Sequence, residues 1–414
     1  MEALQFTDSI PRYALGKLAG SRRRGVYWSG FGSLRWRDVP RPALPGPEWV
    51  RIATRYGGIC GSDISLIELH ASTATAPFTS FPFTVGHENV GRIAEIGPAV
   101  VGFQVGERVV VNPLLSCAAR GFAHDLCPAC ARGEPNLCQR FRAGTLAPGM
   151  LTGFCRDTGG SWSAAFVAHQ SQLLRVPDIV SDEGALLAEP FAVALHAVLR
   201  NPPAEGQTVL ILGAGVIGLC TLAALRALDL KARIIITARH PFQVAMAQRL
   251  GADDVVKPLR GAAFYRQIAA LTGAEVLKPI IGKEVVAGGA DVVYECVGSN
   301  ATVDDALRLT ASGGTMVLVG LAGVPRGIDW TPIWLNEVKV HGSYCYAVEE
   351  WHGERLPTMA LALRLMAEGK ADLSPLLTHT FHLADYRRAL ETVTSKGTSG
   401  VIKAAFAFPD PVVP

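Results

Sequence analysis

Val209-Leu210-Ile211-Leu212-Gly213-Ala214-Gly215-Val216-Ile217-Gly218 is the stretch whose reading decides the fold. Its four leading apolar residues read as a buried strand. The Ala- and Leu-rich run from Val216 to Leu228 reads as a helix, with the glycines as the turn between them. Gly213 permits a tight turn, Gly215 lets the backbone approach a pyrophosphate, and Gly218 lets the helix pack closely on the strand. The helix N-terminus, at Val216 and Ile217, then faces the phosphates. No charge falls between Val209 and Leu225, yet the glycines favour a packed strand and helix over a membrane span.

The pattern continues C-terminally. Arg233-Ile234-Ile235-Ile236-Thr237 is the next strand and Gln243 to Leu250 the next helix. Asp291-Val292-Val293-Tyr294-Glu295 and Thr315-Met316-Val317-Leu318-Val319 extend the series. Strands alternating with helices predict an α/β unit, a parallel sheet covered on both faces. An acid that grips the ribose hydroxyls of NAD usually lies about 20 residues past such a glycine turn. Here the second strand runs into Ala238, Arg239 and His240, with no Asp or Glu between Lys231 and Pro241. A neutral position beside a guanidinium fork suits a 2′-phosphate, so NADP(H) is expected ahead of NAD(H). Val297, just past the Asp291–Glu295 strand, joins the expected cofactor contacts.

Residues 25–115 differ in character: short strands such as Trp49-Val50-Arg51-Ile52-Ala53 and Glu107-Arg108-Val109-Val110-Val111, punctuated by Gly and Pro. After about residue 342 the alternation breaks again, and one amphipathic helix spans Leu356 to Glu368. A chain of 414 residues with 49% hydrophobic content has room for two domains and their cores. Residues 1–24 look like a short extension before the first strand, without the apolar core of a signal peptide. The formal net charge of +3 is small, and Arg22-Arg23-Arg24 reads as solvated, so neither nucleic acid nor membrane is an expected partner. There is no internal repeat.

Two groups of metal-type ligands stand in the first half. Gly58-Ile59-Cys60-Gly61-Ser62-Asp63 and Gly86-His87-Glu88 each set a soft or imidazole ligand beside a carboxylate. A catalytic zinc needs about three protein ligands and an open position. Cys60 and His87 supply two, Asp63 is a candidate acceptor for the other ring nitrogen of His87, and Glu189 is a third, acidic candidate. The second group is Cys117, Cys127, Cys130 and Cys138, whose four thiolates would close a structural zinc site. His124 is a rival to Cys117, since it keeps a short spacing to Cys127. Cys117 is preferred because the extra residues can loop out at small entropic cost. Nine cysteines, four of them clustered, favour metal binding in a reducing compartment, hence a cytoplasmic location.

Taken together, the Gly58–Asp63 and Gly86-His87-Glu88 segments, the cysteine lobe, the run from Ala188-Glu189-Pro190 to His196 and the glycine turn resemble, in order, the zinc-containing medium-chain dehydrogenase/reductase family. The resemblance covers residues 25 to about 405. It implies a GroES-like β-rich catalytic domain from residues 25–195 and 343–414, with a Rossmann doubly wound domain, 196–342, inserted and the active site in the cleft. It implies that Cys60, His87 and Glu189 match the catalytic zinc ligands of the polyol-type branch, and that Glu88 matches a transiently coordinating acid. Ser62 matches the hydroxyl that contacts the substrate and starts a proton relay. Relatives of this family are usually homodimers or homotetramers joined through the Rossmann sheet edge.

The chain departs from the family pattern at three places. Ser65 stands where many members have the histidine that ends the relay. Cys345 stands near the position of a polyol-binding arginine, which disfavours a sugar alcohol. Nine residues instead of two separate Cys117 from Cys127. The implied chemistry is hydride transfer between a nicotinamide and an alcohol or carbonyl, with zinc as Lewis acid and Ser62 passing the proton outward. Two alternatives stay open: reduction of an activated carbon–carbon double bond, and a non-catalytic nucleotide-binding protein that keeps zinc for structure.

Overall fold

The computed structural model describes residues 1–410; positions 411–414 of the expected second catalytic segment lie outside the described residues. The chain forms two compact units. The first holds Met1–Glu189, Ala347–Ala367 and the residues from Asp372 on; the second holds Pro190–Tyr346 with Glu368–Ala371. The boundaries expected from the sequence fall after residues 195 and 342.

The first unit begins with β1 (Glu2–Phe6), α1 (Ile10–Ala19) and β2 (Leu34–Asp38). This corrects the expectation that residues 1–24 precede the first strand. β1 is the middle strand of an antiparallel sheet, between β2 and a later two-residue strand, and Leu4 is fully buried in its core. A five-residue strand carries little periodicity of its own, and its burial comes from partners far along the chain.

The larger sheet is built on β3 (Trp49–Ile59), which the reading found only as far as Ala53. After it come α2 (Gly61–Ile67), β4 (Phe83–Thr84), β5 (Asn89–Ile96), β6 (Arg108–Val111), α3 (Pro128–Ala131), β7 (Ala165–His169), β8 (Leu173–Arg175), α4 (Asp182–Leu186) and α5 (Ala188–Arg200). Val50, Ile52, Ile93, Val109, Val111 and Phe166 pack inside this sheet, the alternation expected of strands with one buried face.

In the second unit, β9 (Thr208–Leu212), β10 (Arg233–Thr237) and β11 (Asp254–Val256) alternate with α6 (Val216–Ala227), α7 (Pro241–Arg249) and α8 (Ala262–Thr272). A small antiparallel pair, β12 (Glu275–Leu277) and β13 (Val285–Ala287), precedes β14 (Ala290–Glu295), α9 (Asn300–Leu309), β15 (Thr310–Leu318), α10 (Thr331–Leu335) and β16 (Lys339–Gly342). Six of these strands form one parallel sheet in the order β11-β10-β9-β14-β15-β16. The order reverses between β9 and β14, the switch point where doubly wound sheets bind nucleotides. The expected fold class is thus the observed one.

The chain then returns to the first unit with the hairpin β17 (Val348–Trp351) and β18 (Glu354–Pro357), α11 (Thr358–Ala367), β19 (Leu377–Phe381), α12 (Tyr386–Thr394), α13 (Lys396–Ser399) and β20 (Lys403–Ala407). The larger sheet runs β19-β20-β3-β5-β6-β8, with β7 also on β3. Ala404 of β20 lies opposite Ile59 of β3, which carries Lys403 to the strand end beside Cys60. Among the described residues, no helix is long and apolar enough to cross a membrane.

Candidate active site and metal centres

β3 ends at Ile59, and Cys60 caps α2. The Cys60 N–H donates to Asp63 Oδ2 at 3.0 Å, so the acid of the first helical turn fixes the cysteine's backbone. The other Asp63 oxygen lies 3.3 Å from His87 Nδ1, and both side chains are buried. Burial opposes a charge on His87, but Asp63 and Cys60 outweigh it and hold the imidazole pKa well above its ordinary value. Glu88 is fully buried, and a Cβ on Gly58 would come within 2.1 Å of its carboxylate; glycine is the residue that leaves that room. The Ser161 hydroxyl donates to the Glu88 carbonyl at 2.7 Å, and Trp162 Nε1 donates to the Gly58 carbonyl at 2.9 Å.

Cys60, His87 and Glu88 form a group whose ligand atoms lie within 4.8 Å of one another. Glu88 Oε1 is buried without a hydrogen-bond partner. A thiol, an imidazole and a carboxylate converging with an orphaned oxygen is a donor set that fits zinc. Glu189 opens α5 and is buried, yet it is not in that close group. Burial pushes its pKa up to about 7, with His87 opposing and Glu88 adding to the shift. Ser62, half-buried, sits in the first turn of α2.

Cys117, Cys127, Cys130 and Cys138 form the second such group. Cys117 Sγ lies 3.7 Å from Cys138 Sγ and accepts the Cys127 N–H at 3.4 Å. Backbone N–H groups of Gln139 and Arg140 donate to Cys127 and Cys138 Sγ, each at 3.4 Å. A hydrogen bond from Cys130 together with such donors pulls the Cys138 thiol down to about 5, as a thiolate ligand requires. His124 is exposed and outside the group. The residues after Cys117 do not simply loop out. Arg120 is fully buried among them, and its guanidinium donates to the carbonyls of Leu115, Ala143, Leu146, Ala147 and Gly149. The insertion is pinned by hydrogen bonds, not tolerated as slack.

In the second unit, Gly213 has φ +102° and its N–H donates to Thr237 Oγ1 at 2.8 Å, tying the turn to β10. Gly215 caps α6, whose first residues are Val216 and Ile217. A Cβ on Gly218 would meet the Gly213 carbonyl at 1.8 Å, so helix and strand close only over glycine. Val297 packs against the turn, with Cγ2 2.5 Å from where a Gly213 Cβ would stand. At the end of β10, Ala238 is buried, Arg239 exposed and His240 half-buried. Gln243 Oε1 accepts the backbone N–H groups of Arg239 and His240, each at 3.2 Å, and the His240 ring stacks on Phe242.

Residues 46–178 match the alcohol dehydrogenase GroES-like domain, and residues 216–360 match the zinc-binding dehydrogenase family. The L-idonate 5-dehydrogenase of Vitis vinifera is 31% identical over 397 residues, spanning 94% of this chain and 96% of its own. The chain belongs to the zinc-containing alcohol dehydrogenase family. It is an NAD(P)-dependent oxidoreductase of the alcohol dehydrogenase type, acting on CH–OH donors. A sorbitol dehydrogenase of Arabidopsis thaliana is 30% identical, with 91% of this chain and 93% of that one covered. The crystal structure of a zinc-binding dehydrogenase from Sinorhizobium meliloti 1021 bound to NADP superposes with a TM-score of 0.68 at 26% identity, covering 91% of this chain and 95% of that one.

Sequence reasoning missed one residue at the centre of this dehydrogenase. Lys403 of β20 is buried, pairs with Glu88 and donates to the Ile59 carbonyl at 3.1 Å. Burial works against its charge, but Glu88 and then Cys60 hold its pKa above the ordinary lysine value. The only signal in the sequence is a lysine in an otherwise apolar strand, Val401-Ile402-Lys403-Ala404-Ala405-Phe406. Its partner could not be read from it.

Proposed function

We propose that this dehydrogenase moves a hydride between NADP(H), in preference to NAD(H), and an alcohol or carbonyl, at a zinc held by Cys60, His87 and Glu88. The observation that carries the reading is the buried convergence of those three ligand atoms with an orphaned Glu88 oxygen. Zinc bound there supplies Lewis acidity that lowers the pKa of an alcohol toward neutrality. Glu189 shares the remaining protein position. Its place is buried beside that group but outside the close convergence of Cys60, His87 and Glu88, as suits a carboxylate that alternates with water or substrate. Asp63 orients His87 through Nδ1 and leaves Nε2 for the metal. Ser62, in the first turn of α2, accepts the substrate proton while passing its own hydroxyl proton outward. Cys117, Cys127, Cys130 and Cys138 hold a second, structural zinc.

The NADP(H) preference rests on the end of β10, where no acid stands to repel a 2′-phosphate and Arg239 is exposed. The NADP bound by the Sinorhizobium relative supports it. The polyol substrates named for relatives and the missing arginine near Cys345 pull in opposite directions, so a test panel spans polyols, simple alcohols, ketones and enals. The exposed edge strand β16, with Trp330, Trp334 and Leu335 exposed beside it in sequence, supports a homodimer or homotetramer built on that edge. Cysteines clustered as metal ligands support a cytoplasmic location.

The test is His87→Ala. Turnover of every alcohol and carbonyl in the panel should vanish and one zinc per chain should be lost, while reduced cofactor still binds with unchanged fluorescence. Wild-type turnover in this variant would remove the zinc mechanism. Turnover by the wild type on enals alone would replace it with double-bond reduction.

A further inference from the structure

The helix α1 presents the wrong face to water. Ile10, Ala14 and Leu18, one above another at i, i+4 and i+8, all point outward, with Pro11 and Leu15 beside them and also exposed. Ile10 is 80% exposed and Leu18 76%. A surface helix normally reserves that stripe for polar residues and turns its apolar stripe inward. Here the inward side is made of Gly16 and Gly20, seated so tightly that Cβ atoms would meet Leu69 Cδ1 at 2.9 Å and the Tyr27 ring at 2.3 Å. The helix is anchored by close backbone packing and leaves its larger apolar side chains outside. Phe31, 67% exposed, extends the apolar surface of the same N-terminal segment.

Charge accompanies this apolar surface. From Ser9 to Arg37 the chain carries seven basic residues and no acidic one: Arg12, Lys17, Arg35, Arg37 and the Arg22-Arg23-Arg24 run. That surplus exceeds the +3 of the whole chain, so the rest of the molecule is net acidic. Arg12 and Arg35 both donate to the Gly30 carbonyl, next to Phe31. Burial first, and then the like charges of Arg12 and Arg37, pull the Arg35 pKa below its ordinary value. Asp8 and Asp38 bracket the segment in sequence, Asp38 pairs with the N-terminal ammonium, Glu68 is taken by Arg24, and Glu391 stands on α12, which packs against residues 24–28.

The geometry points to peripheral docking of this face on an anionic lipid surface, with Ile10, Leu18 and Phe31 entering the headgroup boundary and the flanking arginines pairing with lipid phosphates. Apolar tips set among cations are the pattern of helices that lie in a bilayer interface. A second copy of the chain would bring this cation-rich segment against its own like, which disfavours self-association through this face. The stripe's large side chains stand in solvent with no groove among them to receive a partner's side chains, which suits insertion. The sequence alone had suggested no membrane partner; the exposed stripe becomes visible only with the helix in place.

The experiment is co-sedimentation of the full chain with vesicles of pure phosphatidylcholine and of phosphatidylcholine mixed in equal parts with phosphatidylglycerol. Binding is expected to the mixed vesicles and to fall with added salt. The double variant Ile10→Ser, Leu18→Ser should lose about tenfold or more in bound-to-free ratio, as should Arg22→Gln with Arg23→Gln, while both keep wild-type turnover. Absence of binding to the mixed vesicles, or binding unchanged in both variants, overturns the inference. So does a fall in molar mass by light scattering in the Ile10→Ser, Leu18→Ser variant, which would make the stripe a self-association surface. Salt-sensitive capture by an acidic polypeptide, polyglutamate, with none by vesicles, would assign the face to a protein partner instead.

Discussion

Lys403 and Glu88 form an ion pair in the interior of the catalytic unit, each about 1% exposed. The lysine is delivered by β20 and the acid by the loop before β5, and both lie beside the Cys60–His87 pair. Lys403 pairs with Glu88 on one side, and Glu88 keeps a further buried oxygen for another partner. Breaking a buried pair from one side leaves an uncompensated charge. Lys403→Met is therefore expected to cost about 3–5 kcal/mol of stability, read from urea unfolding of the zinc-loaded enzyme. A cost of about 1 kcal/mol or less would mean that the pair carries no such weight.

The cysteine lobe gives a stoichiometric test. Cys117→Ser should lower bound zinc by one per chain, whereas His124→Ala should leave it unchanged, because His124 lies exposed outside the cluster. Plasma emission spectrometry on dialysed protein reads both. Loss of zinc in the histidine variant with retention in the cysteine variant would reverse the assignment.

Cofactor choice is expected to follow Arg239. The wild type should show the higher kcat/KM with NADP(H). Arg239→Ala should lose about 1.5–3 kcal/mol of that advantage, tenfold or more, with NADP(H) alone. Equal or better efficiency of the wild type with NAD(H) would refute the preference.

Acid sensitivity of the nucleotide unit should centre on Asp304. Burial alone would raise its pKa, but hydrogen bonds from Lys283, the Asp329 N–H and Arg308 reverse this and hold it below the ordinary value. A depressed carboxylate pKa adds stability that is present above the unfolded-state value of about 3.9 and is lost as pH falls through the folded value. Asp304→Asn should thus lower the melting temperature at neutral pH, and the gap to wild type should close as pH drops below about 4. A gap that stays constant into acid would show that the charge contributes nothing.

Assembly should depend on the sheet edge. Leu335→Asp, beside Trp334 and ahead of β16, should shift the enzyme to monomer by light scattering while the free subunit still binds cofactor. An unchanged molar mass would place the contact elsewhere.

The sequence by itself determined what is local. The glycine turn and its flanking strand and helix lie within some twenty consecutive residues, Cys127 and Cys130 have two residues between them, and His87 and Glu88 are adjacent, so short-range geometry made them legible. Arg239 and Ala238 were legible because they follow one strand directly. Only the tertiary structure decided the rest. Lys403 meets Glu88 because β20 pairs with β3, a partnership across 344 residues that no periodicity announces. β1 is a strand only through β2 and β4, and Arg120 fills the cysteine insertion only because five carbonyls from elsewhere in the chain converge on it. The apolar stripe on α1 faces outward because Gly16 and Gly20 take the inner side. Periodicity can find a helix, but which face is buried depends on the surface it meets.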